Sequence, residues 1–428
     1  MKKLLACVLI LVLTVALCSF SVIALAPPSN PDSGSNPENS QNNEIDDRFK
    51  YMNMNSNDGV TISGVNTEIK GELVIPSFYQ DKPVTHIGEY AFYNCEEVTS
   101  VVIPDSVVWI GDGAFEETAY YKNESNWDNG ILYIGKHLIK AEESVSGEVA
   151  VKDGTLTVAS GAFRRCEALN SVILPDSVVT VGQGAFSSCG SLKKAKLGDK
   201  VQLIGHSAFW ECNKLSEINI PASVTKIDSM AFEGCENLTS IVLPEGIVKL
   251  GSSVFEDCKR LSSVILPDKL TAIPYQTFKN CSALNSIDIP KELVSIEGNA
   301  FTGCGALASL SLPDSLWQIG DYAFSDCRSL TSIDIPDSVV AISDGAFADC
   351  TQLETVCYSG NEAQKNKLTG GYADYCFETV VWEIAENNSA IFNNKSKADL
   401  GAWAIVLIVV AIIVFGTVFV LVADKKKK

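Results

Sequence analysis

The chain has 428 residues, which would suit two or three ordinary domains if it lacked internal repeats, and 46% hydrophobic against 20% charged residues is enough to bury a large core. A formal charge of −19 excludes a nucleic-acid binder, because gripping a phosphate backbone needs clustered Lys and Arg.

Residues 1–26 run from Lys2 and Lys3 through an apolar stretch to small residues ending at Ala26, the order of a secretory signal peptide. Residues 27–50 are rich in Pro, Ser, Asn, Asp and Glu, too polar to offset the entropy of ordering, and are expected to be a disordered linker. From residue 51 to 382 the chain is periodic. Phe163, Phe186, Phe209, Phe232, Phe255, Phe278, Phe301, Phe324 and Phe347 stand 23 residues apart, each followed three residues on by a Cys, from Cys166 to Cys350. Phe92 and Phe115 keep the same step.

One unit, Leu238 to Arg260, carries the physics. Leu238, Ile241, Leu243, Ile247, Leu250, Val254, Phe255 and Cys258 are its inward candidates. Leu-x-x-Ile-x-Leu alternates as a short strand does, and Pro244 ends it because it has no N–H for a ladder. Val254, Phe255 and Cys258 have helical or 3₁₀ spacing in a segment too short to stand alone. A single unit cannot enclose its apolar face, whereas stacking roughly twelve turns can, about 4.8 Å apart. The predicted fold is therefore an α/β repeat solenoid: right-handed, with one parallel β-sheet face and short helical or 3₁₀ segments opposite.

Phe115 and Phe163 are 48 residues apart, so a divergent insert at 119–160 lacks the aromatic marker. Within it, Ile131 to Ile139 reads as two strands around Gly135, a hairpin expected to keep the solenoid continuous. A closing cap at 351–382 and a juxtamembrane linker at 383–399 follow. Residues 400–423 are 24 residues without a charge, about 36 Å as a helix against roughly 30 Å of hydrocarbon, so a single transmembrane helix is predicted. The basic tail 424–428 then places the repeats outside the cell.

The unit Leu-x-x-Ile-x-Ile-Pro-x-x-Val-x-x-Ile-Gly-x-x-Ala-Phe-x-x-Cys resembles the BspA-like leucine-rich-repeat surface proteins of bacteria, over about Asp58 to Tyr358. Under this resemblance Gly59 to Phe92 is an opening cap. The resemblance also implies a cell-surface binding protein, an adhesin for host extracellular matrix, mucosa or other cells. The alternative is a structural or envelope-organising surface protein without a host ligand. The implied partners are an extracellular protein or glycan, and the membrane through the C-terminal helix.

The residues themselves offer little to an enzyme. His86, His137 and His206 lie in unrelated contexts, no nucleophile elbow or phosphate-binding loop occurs, and zinc-type cysteine spacing is absent, so no catalytic residue, cofactor or metal is expected. The ladder cysteines suit buried free thiols, while pairing of Cys357 with Cys376 stays open. Binding has a geometric basis, since strand alternation turns two columns outward from the sheet. Ser171, Ile173, Ser240, Val242, Ser263, Ile265 and Ser286 form the candidate ligand-binding face, small and polar around an apolar centre. Lys193, Lys194, Lys196 and Lys200 add a basic spot.

Overall fold

A computed structural model of the chain describes residues 46–53, 59–66, 68–368 and 380–384. They wind into a parallel β-solenoid of about 14 turns with few helices. The unit at Leu238 to Arg260 folds as its pattern requires: Leu238, Ile247, Val254, Phe255 and Cys258 are fully buried, and Ile241, Leu243 and Leu250 are nearly so. Each phenylalanine ring lies nearly parallel to the next, with Phe232–Phe255 and Phe255–Phe278 centroids both 5.7 Å apart. Such offset aromatic contacts add to the burial of the rings themselves.

Two walls of the solenoid carry parallel sheets, where a single sheet was expected. The first is made by strands such as Leu169–Ile173, Lys194–Lys196 and Glu217–Ile218. The second uses strands of two residues, Thr157–Val158, Thr180–Val181, Leu203–Ile204 and Lys226–Ile227, paired 23 residues apart. Only the inner residue of each pair is a consistent apolar position. That leaves too short an alternation to read as a strand from sequence.

The wall carrying Phe and Cys corrects the expectation of helical or 3₁₀ segments. Among the described residues the helices are Ala119–Lys122, Glu124–Asn126 and Glu362–Leu368, in the insert and the closing region. In the repeating wall, N–H groups alternate between two tasks. Ala162, Arg164 and Cys166 donate three residues back, to the carbonyls of Ala159, Gly161 and Phe163. Gly161, Phe163 and Arg165 donate instead to the following turn, at Gln183, Ala185 and Ser187. A helix would spend every N–H internally and leave the turns unjoined. The alternation needs left-handed backbone two residues before and two after each Phe, as at Gly161 (φ 65°) and Arg165 (φ 62°), or Ser253 (φ 55°) and Asp257 (φ 57°). A non-glycine residue there costs about 1–2 kcal/mol, which the inter-turn hydrogen bonds help offset.

The cysteine column has a second role beyond filling space. From Cys189 to Cys350 each thiol donates to the carbonyl of the phenylalanine one turn earlier, as Cys189 to Phe163 (3.0 Å), Cys258 to Phe232 (3.2 Å) and Cys350 to Phe324 (3.0 Å), while Cys166, after the insert, donates to the Glu142 carbonyl (3.4 Å). Burial pushes the Cys166 thiol up to about 12 and the Cys212, Cys258 and Cys304 thiols higher still, so the S–H donor persists. In some turns a serine hydroxyl works in the same manner, Ser177 donating to the Thr155 carbonyl and Ser223 to the Val201 carbonyl.

The ends and the insert adapt the repeat. Phe49–Asn53 pairs antiparallel with Val60–Val65, which runs parallel to Lys82–Ile87. Phe49 is buried edge-on against Phe92, 6.1 Å between centroids, and covers the end of the aromatic column. Of the linker expected at 27–50, residues 27–45 lie outside the described residues, and Phe49 and Lys50 belong to a strand. At the other end the strand Val381–Ile384 runs past residue 382, parallel to Thr355–Tyr358. The hairpin at Ile131–Ile134 and His137–Ala141 forms as expected. Leu132, Ile134 and Ile139 enter the core beneath the opening cap, and Ile131, Leu138 and Ala141 enter the main core, so the hairpin joins the two.

Among the described residues no helix is long and apolar enough to cross a membrane. The predicted signal segment 1–26, transmembrane span 400–423 and tail 424–428 lie outside them, as does Cys376.

Candidate ligand-binding face

The first sheet turns its outer columns to solvent because Ile241 and Val264 point inward and their strand neighbours cannot. Ser240 pairs with Ser263 and Val242 with Ile265 in direct register. Val242 is 58% and Ile265 55% exposed, so the two side chains form one apolar contact surface above the serines. Ser171 and Ile173 stand in the same two columns, with Ser171 half-buried and donating to Glu148 (3.1 Å) and Ile173 exposed beside Lys196. Ser286 is exposed and donates to Asn285.

The structure does not join all these residues into one ladder. Strands Ser240–Val242 and Ser263–Ile265 make a two-stranded piece on their own, while Leu169–Ile173 belongs to a separate four-stranded sheet. Asn219 marks the break: its side-chain amide exchanges two hydrogen bonds with the backbone of Leu197, at 2.8 and 3.0 Å, imitating the next stretch of strand. Beyond Ile265 pairing lapses again and a cleft of about 460 Å³ opens, lined by Ile265, Asp268, Asp288, Lys291 and Glu292. The apolar pair thus borders a polar cleft. Of the basic spot, Lys194 is tied to Glu217 (2.7 Å), and all four lysines are exposed.

Sequence reasoning missed Val74, which is 45% exposed and in register with Val102, 47% exposed. Its signal was present: Val74 precedes Ile75-Pro76 as Val242 precedes Leu243-Pro244. A second cleft, of about 620 Å³, adjoins the insert and is lined by Asp128, Tyr133, Glu142, Glu148 and Lys152. There the Lys152 ammonium sits over the Tyr133 ring (4.4 Å) and pairs with Asp128 (2.9 Å), which closes off that ring face. Among the described residues no cluster of three metal-ligating side chains occurs.

The family described as "BspA type Leucine rich repeat region" matches the chain in six copies, over residues 72–146, 156–285 and 271–379, well over half of its length. No curated protein matches. Among solved structures, the chain is similar to a leucine-rich repeat protein from Bacteroides ovatus, at 25% identity over 79% of this chain and 99% of that one, with a TM-score of 0.46. It is also similar to a leucine rich cell surface protein from Faecalibacterium prausnitzii, at 25% identity over 79% and 98%, with a TM-score of 0.36. A leucine-rich repeat protein from Eubacterium ventriosum matches at 21% identity over 69% and 91%, with a TM-score of 0.41.

Proposed function

Since the chain belongs to the BspA-type leucine-rich-repeat family, we propose that it is a membrane-anchored surface protein that binds an extracellular protein or glycan and promotes adhesion. The observation that carries this reading is the pair Val242 and Ile265, exposed and in register over a serine column at the mouth of a cleft. Large apolar side chains left at the centre of a polar surface are the usual anchors of a binding patch, and small polar neighbours let a partner approach closely. The chain performs no chemistry in this reading: it offers a broad, rigid surface in place of a substrate pocket. The apolar span and terminal lysines support an outward-facing repeat domain.

Protease added to intact producing cells should release the repeat domain, and those cells should adhere to immobilised matrix protein or mucin better than cells lacking the chain. A domain protected alongside cytoplasmic markers would overturn the surface placement. Release without any gain in adhesion would point to an envelope-organising role.

A further inference from the structure

A different wall carries a feature that the family motif does not require. Four residues after the strand-ending prolines Pro290, Pro313 and Pro336 stand Val294, Trp317 and Val340, which are 44%, 53% and 52% exposed. They occupy consecutive turns, joined directly through the backbone: Trp317 N–H donates to the Val294 carbonyl (2.8 Å) and Val340 N–H to the Trp317 carbonyl (2.9 Å). The result is a continuous exposed apolar stripe with an indole at its middle. Earlier turns carry Val108, Val179, Gln202, Thr225, Val248 and Thr271 at the same position, so the solenoid does not need an apolar residue there, and the exposed Val248 stands alone between Thr225 and Thr271.

Carboxylates flank the stripe on both sides within these turns. Glu292, Asp314 and Asp337 precede it and Glu297, Asp321 and Asp344 follow it, against Lys269 and Lys291 as nearby cations. Among the described residues none of the six carboxylates is in an ion pair. Glu297 accepts a hydrogen bond from the Tyr275 N–H.

We propose that the Val294–Trp317–Val340 stripe is a second docking surface, and that its partner is a cationic protein segment with apolar side chains interleaved between its Lys or Arg residues. Charge complementarity selects that partner. An anionic membrane and a second copy of this chain, at −19, are repelled by the carboxylate rim. A sugar ring stacked on Trp317 would find aliphatic Val294 and Val340 beside it, where hydrogen-bonding groups are needed. A cationic segment gains from both features at once. Its apolar side chains cover the valines, its charges meet the rim, and a Lys or Arg can lie over the indole face.

The test is titration of the full chain with a synthetic heptapeptide of alternating Lys and Leu. Its controls are a Glu-for-Lys and a Ser-for-Leu version, anionic phosphatidylserine vesicles and a neutral chito-oligosaccharide. The Lys-Leu peptide should bind, should weaken by about tenfold or more in Trp317→Ala, and should weaken as salt rises. Both control peptides should bind at least about tenfold more weakly. Trp317→Ala changes an exposed side chain, and Thr225→Ala at the equivalent place should leave peptide binding unchanged. Binding of the Lys-Leu peptide that ignores Trp317, equal binding of the Glu peptide, or Trp317-dependent binding of vesicles or sugar in its place would each overturn the proposal. Concentration-dependent self-association abolished by Trp317→Ala would overturn it too, by assigning the stripe to a second copy.

Discussion

Phe255→Ala is expected to lower the stability of the surrounding turns by about 3–5 kcal/mol, as deletion of a large buried ring does. The ring is fully buried and stacked on Phe232 and Phe278, so its loss leaves a cavity between those two rings and takes one stacking partner from each. Because each turn touches mainly its neighbours, the damage should stay local rather than unfold the whole domain. Hydrogen exchange read by peptide should show lost protection from about Leu238 to Leu284, with the turns near Phe92 and Phe347 little changed. Unchanged exchange around Phe255 would contradict its packing. Uniform loss throughout would contradict nearest-neighbour coupling.

Acid should destabilise the insert through His137. Its side chain is fully buried, with Nδ1 2.8 Å from the Thr157 hydroxyl, while Nε2 is buried without a hydrogen-bond partner among the described residues. Burial pushes its pKa down to about 4; Asp105 opposes this shift and Lys136 assists it. An unfolded histidine titrates near 6.5, so between about pH 6.5 and 4 the unfolded chain binds a proton that the folded one refuses. The stabilisation is therefore complete above about pH 6.5 and is lost progressively as pH falls, by roughly 3 kcal/mol near pH 4 at about 1.4 kcal/mol per pH unit. Thermal melting should drop more steeply with acid in the wild type than in His137→Gln, in which the carboxylates still titrate but the imidazole is gone. Parallel pH profiles for the two proteins would show that His137 does not control the loss.

Most of the inward-facing column was legible in the sequence, because a residue that must fill the same place in every turn recurs at a fixed step. Phe255, Cys258 and Leu261 announce themselves this way. Features carried by backbone direction were not. Two residues before the Phe the left-handed position is held by Gly161, Gly184 and Gly345 in some turns but by Met230 and Gln276 in others, and two residues after it by Gly234 and Gly303 in some but by Arg165 and Glu211 in others, so no residue type marks either column. Without those bends, the spacing of Val254, Phe255 and Cys258 reads as a helix turn. The second sheet was hidden because two-residue strands show no alternation. On the surface, Val242 and Ile265 could be found from alternation alone. The lapse of pairing beyond Ile265 and the substitution of the Asn219 side chain for strand backbone are tertiary outcomes. Trp317 was overlooked because it falls just after a proline turn, where sequence gives no reason to expect an aligned column.

Binding of the ligand through Val242 and Ile265, on the outer face of the first sheet, is what we propose. Burying such side chains is worth about 1.5–3 kcal/mol each, so replacing both with a charge should cost affinity by at least about 100-fold. The most direct measurement is binding of the full-length Val242→Asp, Ile265→Asp double variant to the immobilised matrix protein or mucin that the wild type captures, alongside its circular dichroism and melting curve. The account predicts binding abolished in a protein whose fold and melting are unchanged, since both side chains already face solvent. Affinity retained by that folded variant would contradict it.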